Sequence, residues 1–585
     1  MNEMMGSLHQ QAPALAELVV SIGQHSDKGL KETNQDFHGA LIPERPLLTL
    51  KGIAVAIADG ISTSAVSRVA AETAVKSFLT DYYCTAETWP VKIAARRVIA
   101  ATNSWLHAQT RRGPHPEDPD RGHVCTLSVL VLKSRSAHIF HMGDSRIARL
   151  VGRSLEPLTV DHRITTAEHS YLARALGIGP NIEIDYRVVP TQPGDIFVLS
   201  TDGVHEHVGG SDIADAVSRC AGDLDAAARR ICELALDRGS TDNVTLQLVR
   251  VDNLPAGEVS DFLDPTAGLP LPPALGPGDT IDGMTVLAQL HGNARSSVYL
   301  VEDQAGTKLV LKAPAPEMAG NSAYLRRFAM EEWIGRRIDN PHVVHTPPQI
   351  GHRSALYLLV AHVDGQTLTR WMAQNLQPAL AQVREIVEQI AKGVTAFHRL
   401  AMVHQDLRPD NIMIGSDGRV TIIDLGSASV AGVTELAVGW DEGFLPGAIQ
   451  YTAPECFLGE PASERSDQFS LGVTAYQLLT GRIPYGAEIA RVQRRGDLHR
   501  LRYQPVGDSI PAWVDRTLKK AVHPDPEQRY EALSEFLYDL AHPNPEFLQA
   551  PERQRSVEQQ LMIWQLVSAM LGLATLVLFA MMILN

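Results

Sequence analysis

Residues 403–426, VHQDLRPDNIMIGSDGRVTIIDLG, constrain the rest of the chain more than any other stretch. An acid, Asp406, stands five residues before an amide, Asn411. An apolar, strand-like VTII then leads into Asp424-Leu425-Gly426. Moving a phosphoryl group off a nucleotide needs a carboxylate to orient the attacking hydroxyl. It also needs oxygen ligands for magnesium ions that bridge the phosphates. Asp406 suits the first task, and Asn411 and Asp424 suit the second.

The segment resembles the catalytic loop and metal-binding element of eukaryotic-type protein kinases, with HQD for HRD and DLG for DFG. The resemblance spans residues 281–545 and implies a bilobal kinase fold that uses ATP and Mg²⁺. KLVLKAP places Lys312 in a strand, and FAMEEWIGRRIDNPHVV reads as a helix with Glu331 ten residues before Pro341. By the resemblance Lys312 anchors the α and β phosphates and Glu331 orients it. Arg408, in place of the loop's usual lysine, keeps a positive charge near the transferred group. The three glycine positions of the phosphate-covering loop fall on His291, Asn293 and Ser296, so a stiffer lid is expected. Gln405 replaces the arginine that pairs with a phosphorylated activation segment in many relatives, so such a switch should be dispensable. Asp467 is expected to brace the catalytic loop, Arg529 to pair with Glu455, and Ala448 stands where a threonine is usual.

Residues 15–252 have a different pattern. Apolar runs end on or begin at aspartates: IAVAIAD at Asp59, AHIFHMGD at Asp144, DIFVLSTD at Asp202, and DNVTLQLVRV from Asp242. Such runs read as buried strands, with helices at residues 65–79 and 224–236 between them. Carboxylates gathered on one sheet edge repel unless divalent cations neutralise them, and an all-oxygen set suits Mg²⁺ or Mn²⁺.

With SDKGLKETNQDF, Asp59-Gly60, GDSR, LTVDHR, ARALG and STDNVT in this order, the region resembles the metal-dependent (type 2C) protein phosphatases. The resemblance implies an α-β-β-α sandwich. Asp59, Asp202, Asp242 and the Gly60 carbonyl would hold two metals, and Asp144 with Asp202 a weaker third. Asp36 would lie in a second layer or bind through water. Water shared by two cations would attack phosphorus directly. Lys31 takes the phosphate-binding arginine position as a point charge. Gln35 stands where glutamate is common, and ISTSAVSR replaces a stretch that usually contains a histidine.

Residues 253–280 are proline-rich and read as a spacer between two bodies free to move. Residues 546–560 read as a juxtamembrane segment. Residues 561–584 contain no charge and are long enough, at about 1.5 Å per residue, to cross a bilayer core of about 30 Å. Arg553 and Arg555 precede that stretch, which predicts a tail-anchored, single-pass protein with both domains in the cytoplasm. The N-terminal stretch lacks the basic and apolar regions of a secretory signal. A net charge of −15 argues against a nucleic-acid partner, and five scattered cysteines without a C-x-x-C pair suggest neither disulfides nor zinc.

The expected architecture is multidomain α+β. The expected function is a signalling enzyme that phosphorylates and dephosphorylates serine and threonine in protein substrates. The competing readings are a phosphatase governed by a pseudokinase and an anchored scaffold with neither activity.

Overall fold

The computed structural model describes residues 17–165, 170–255, 269–348, 353–435, 449–507 and 509–548, together with 564–568, 570 and 572. The first body contains two five-stranded sheets. One runs in the order Val19–Asp27, Val244–Asn253, Ile196–Ser200, Arg146–Val151, Ser154–Pro157. The other runs Asp185–Pro190, Ser136–Met142, Leu127–Lys133, Ile53–Ala58, Phe37–Leu41. Every residue of Ile53–Ala58 and Leu127–Lys133 is buried, which explains why these runs lack the polar alternation of a one-sided sheet.

Alternate residues of those strands serve two cores. Ile53, Val55, Ile57, Leu130 and Ile139 meet Ile147, Phe197, Leu199 and Val249 between the sheets. Ala54, Ala56 and Ala58 face outward beneath helices Ser67–Cys84 and Val91–Arg112. Alanine on both surfaces lets helix and sheet approach closely. Helices Gly210–Arg219 and Leu224–Asp237 cover the other sheet, which completes an α-β-β-α sandwich.

The second body has a small lobe whose five-stranded sheet follows the order Thr280–Ile281, Met284–Gly292, Ser296–Glu302, Lys308–Pro314, Leu358–Ala361. Its large lobe is built around helices Leu380–Arg399 and Glu464–Thr480. Val383, Ile386, Val387, Ile390, Val394 and Phe397, the apolar stripe of the first, lie in that lobe's core.

Two expectations need correction. The helix read over 328–344 is Ser322–Gly335: Asn321 caps its start by accepting from the Tyr324 amide at 3.0 Å. At its end, a Cβ on Gly335 would lie 2.1 Å from Thr346 Oγ1, so that close approach needs a glycine. The proline-rich stretch is also not merely a spacer where it is described. Leu269 and Leu271 pack against Phe328, Leu356 and Leu358, and the Leu356 amide donates to the Pro270 carbonyl at 2.8 Å. Proline removes donors but leaves carbonyls and apolar neighbours, so an extended segment can still dock. The two bodies also share direct hydrogen bonds, among them Trp89 Nε1 to the Arg399 carbonyl at 2.9 Å.

Among the described residues no helix is long and apolar enough to cross a membrane. Ala448 and most of 561–584 lie outside the described residues.

Candidate functional sites

In the second body the chain from Val403 folds as the sequence requires. Asp467, wholly buried at the start of helix Glu464–Thr480, accepts from the His404 and Gln405 amides at 2.9 Å each. His398 also contacts it at 2.9 Å. These bonds hold Gln405 at φ 67°, a left-handed conformation that turns the loop toward the cleft. Asn411 Nδ2 donates to Asp406 Oδ2 at 2.8 Å and to the Asp406 carbonyl at 3.0 Å. Asp406 Oδ1 is buried without a hydrogen-bond partner among the described residues. Burial raises the Asp406 pKa against the pull of Arg408, whose Nε lies 3.5 Å away.

Lys312 Nζ contacts Glu331 at 2.7 and 2.9 Å and Asp424 Oδ1 at 3.2 Å. Burial would lower the lysine, but Asp424 and Glu331 together outweigh it and keep it charged. Burial alone would raise Asp424; the Lys312 ammonium and the Gly426 N–H reverse that and hold it at about 2. Lys312, Glu331 and Asp424 therefore form one cluster, while Asp406, Asn411 and Arg408 form another on the adjoining loop. In the strand-joining turn, Asn293 Oδ1 accepts from the Arg295 and Ser296 amides at 2.8 and 2.9 Å.

In the first body Asp59, Gly60, Asp144, Asp202 and Asp242 line one cleft at the sandwich edge. Asp36 is buried behind it, with Oδ2 accepting from Thr245 and Thr201 at 2.7 and 3.0 Å. Burial raises Asp36 to about 7 and Asp202 to about 6. Asp59 rises well above the usual carboxylate range through burial and then the charges of Asp36, Asp202 and Asp144. Lys31 Nζ lies 3.2 Å from Asp242 and 3.2 Å from Ser62 Oγ. Gln35 directs its amide nitrogen to the Ser64 carbonyl and Ser67 Oγ, at 2.9 and 2.7 Å.

Do these residues fit divalent cations? The donors are hard oxygens, and mutual repulsion among the carboxylates is what cations would relieve. Asp36 Oδ1 is buried with no partner among the described residues, and a metal-bound water would satisfy it. Among the described residues no three acidic, histidine or cysteine side chains converge on a single metal-sized point; Lys31 pairs with Asp242 and Arg163 with Asp202. By donor type and by the mutual repulsion that raises Asp59 and Asp202, the Asp59–Asp202–Asp242 set still fits a metal pair in chemistry. The third position does not: the Arg163 guanidinium already spans Asp144 and Asp202, and its third nitrogen reaches Glu206 at 2.8 Å.

Arg163 is the residue that the reading of the sequence missed. It ends LTVDHR, beside a motif already marked, and an arginine one residue after Asp161-His162 was the available signal.

Comparison with known proteins agrees with this division. Residues 24–235 match the family model for protein phosphatase 2C, and residues 291–540 that for the protein kinase domain. The serine/threonine-protein kinase PrkC of Bacillus subtilis is 28% identical over 261 residues, 44% of this chain and 39% of that protein. The serine/threonine-protein kinase PknA of Corynebacterium glutamicum is 30% identical over 247 residues, 41% of this chain and 51% of that protein. The chain thus spans about half or less of the length of these curated relatives. Among solved structures, the Mycobacterium tuberculosis phosphatase PstP/Ppp is 25% identical with a TM-score of 0.34, covering 40% of this chain and all of that one. The family models thus match protein phosphatase 2C at residues 24–235 and the protein kinase domain at residues 291–540 of one chain, and the curated relatives similar to it are serine/threonine-protein kinases.

Proposed function

We propose that the chain is a bifunctional signalling enzyme. Residues 291–540 transfer phosphate from ATP to serine or threonine in proteins, and residues 24–235 hydrolyse the same esters with divalent metal. The observation that carries the reading is the state of Asp406. One oxygen is fixed by Asn411, while the other accepts no hydrogen bond among the described residues and meets only the Arg408 guanidinium, at 3.5 Å, so it can accept the hydrogen of an incoming hydroxyl. Lys312, held by Glu331, presents its charge where nucleotide phosphates would enter, and Asp424 and Asn411 are the candidate Mg²⁺ ligands. Arg408 is placed to balance charge on the transferred group.

In the phosphatase, Asp59, Asp202, Asp242 and the Gly60 carbonyl would hold two Mg²⁺ or Mn²⁺ ions. When bound, those ions would supply an activated water as the nucleophile. Lys31 draws the phosphoryl oxygens toward the cleft, and Asp36 orients water from behind through its free oxygen. Arg163 holds Asp144 and Asp202 in place of a third cation.

Residues 561–584 would anchor the protein in a membrane as a single pass, with both domains on the cytoplasmic side. The support is the uncharged stretch behind Arg553 and Arg555, within which Trp564, Leu566 and Met570 are 70%, 60% and 72% exposed. Flotation with liposomes tests this: full chain should float and a chain ending at residue 552 should not.

The two activities separate in one experiment. Incorporation of labelled phosphate from ATP should vanish in Asp406→Asn, and release from a phosphopeptide with Mn²⁺ should vanish in Asp202→Asn. Persistence in either variant removes that assignment. The second reading, a pseudokinase, draws on the side chains at His291, Asn293 and Ser296; absence of nucleotide binding in wild type would favour it.

A further inference from the structure

The two domains meet at a contact that neither site requires. The phosphatase loop between helices Ser67–Cys84 and Val91–Arg112 lies against the kinase chain just beyond Asp424-Leu425-Gly426. The Thr88 carbonyl accepts from the Gly432 amide at 3.0 Å. The Lys133 ammonium, wholly buried at the end of strand Leu127–Lys133, donates to the Gly432 carbonyl at 2.7 Å and pairs with Glu435 at 3.1 Å. The Val91 amide donates to the same Glu435 carboxylate at 3.0 Å, and Glu87 pairs with Arg337 at 2.6 Å, one residue beyond the cap of the Glu331 helix. Gly432 is matched to this surface, since a Cβ there would lie 2.6 Å from the Thr88 carbonyl oxygen and 3.0 Å from that of Trp89.

A fully buried lysine is costly without a counter-charge. The carboxylate paired with Lys133 belongs to the other domain. The contact is therefore built into both partners: a cation and a bare carbonyl on the phosphatase, an acid and a glycine on the kinase.

We propose that the phosphatase domain is a docking surface for the start of the kinase activation segment of its own chain, residues 430–435, and that this docking keeps the kinase assembled. The segment leaves directly from Leu425, which packs with Met330 and Ile334 of the Glu331 helix, so holding its far end supports the Lys312–Glu331–Asp424 arrangement. On the catalytic loop the Gln405 amide reaches Ser429 at 2.7 Å, a neutral contact, and the cation for the segment comes instead from Lys133. Docking also faces the phosphatase centre away. Thr126, hydrogen-bonded to Asp59, precedes strand Leu127–Lys133, so the acid cleft and Lys133 lie at opposite ends of that strand, about 20 Å apart. Residues 430–435 are then out of reach of their own chain's phosphatase, which must act on other molecules.

The inference rests on the kinase reading of residues 291–540, and two readouts on the full chain keep the two apart. Gly432→Ala and Lys133→Met should each raise hydrogen exchange across 430–435 and 85–91 by about tenfold or more, the loss expected for a charge-assisted contact. Kinase turnover should fall by a similar factor, about tenfold, while phosphatase turnover stays within about twofold. Gly432→Ala removes no charge and adds one methyl, so it remains informative if Lys133→Met fails to fold. Unchanged exchange in both variants overturns the docking. Raised exchange with undiminished kinase turnover overturns its role in kinase assembly. A wild type without kinase turnover overturns the kinase reading, and exchange still decides whether 430–435 is docked.

Discussion

Asp424 and Asp202 carry the same carboxyl group and each follows a short apolar strand, yet their surroundings push them in opposite directions. Asp424 is held at about 2 because Lys312 offsets the cost of burial. Asp202 is raised to about 6 because burial and Asp144 outweigh Arg163. In the kinase site Lys312 outweighs the burial of Asp424, whereas in the phosphatase site Arg163 and Lys31 offset the carboxylates only in part, and the remainder falls to cations from solution. The first arrangement is held together before any metal arrives; the second keeps carboxylates in mutual repulsion until metal binds.

Metal removal should separate the two sites by the widest margin. Chelation should lower phosphatase turnover by about a thousandfold, the scale of losing several kcal/mol of charge stabilisation. Restoring Mn²⁺ at about a hundred times its dissociation constant should stabilise the phosphatase by about 2.7 kcal/mol. Hydrogen exchange should register this in strand Ile196–Ser200 and leave Val420–Ile422 nearly unchanged. Equal protection of both strands would erase the distinction.

Lys312→Met is the converse test. It strands Glu331 and Asp424 beside each other without a cation, and should cost about 3 kcal/mol of kinase-domain stability, the typical penalty for breaking a buried pair. Kinase turnover should be lost, and phosphatase turnover with Mn²⁺ should be retained. A variant as stable as wild type in urea titration would mean that the ammonium does not neutralise the site.

Arg163→Ala sharpens the comparison from the phosphatase side. With the guanidinium gone, Asp144 and Asp202 are free to take a further cation, so calorimetric titration with Mn²⁺ should gain one site per chain. The effect on the two tighter sites should be small, within about tenfold, as for a partly exposed ion pair. An unchanged stoichiometry would show that Arg163 only decorates the cleft.

How much of this was legible in the sequence follows from how local each feature is. The acid–amide spacing of Asp406 and Asn411 and the strand-ending aspartates are set within a few residues, and the structure brings each group together. The apolar runs gave the strands because burial on both faces leaves no polar residue in Ile53–Ala58. Helix ends were less legible: Gly335, the last residue of its helix, lies close against Thr346, a contact eleven residues away in sequence. Docking of Leu269 and Leu271 was hidden because proline content reports on hydrogen bonding and not on apolar neighbours. The partners of Lys133 and Arg163 lie in other elements, and a lone basic residue carries no mark of its counter-charge.

Lys51 joins the comparison to the domain contact. Its ammonium is buried beneath the docking loop, donating to Thr85 Oγ1 at 2.7 Å and to the Ala86 carbonyl at 2.6 Å. Burial, then the charge of Lys133, lowers it to about 7, with Glu87 and Glu435 pulling the other way. In the unfolded chain a lysine releases its proton near 10.4. Between these values the unfolded chain holds a proton that the folded one has lost, so stability rises with pH from about 7 to about 10 and is flat below. The slope can reach about 1.4 kcal/mol per pH unit if nothing relaxes. Urea titrations at successive pH values should show the rise in wild type and a flatter profile in Lys51→Met. Parallel profiles would mean that the loop relaxes to keep Lys51 charged, and a cation as buried as Lys133 would then be able to do the same once Glu435 is removed.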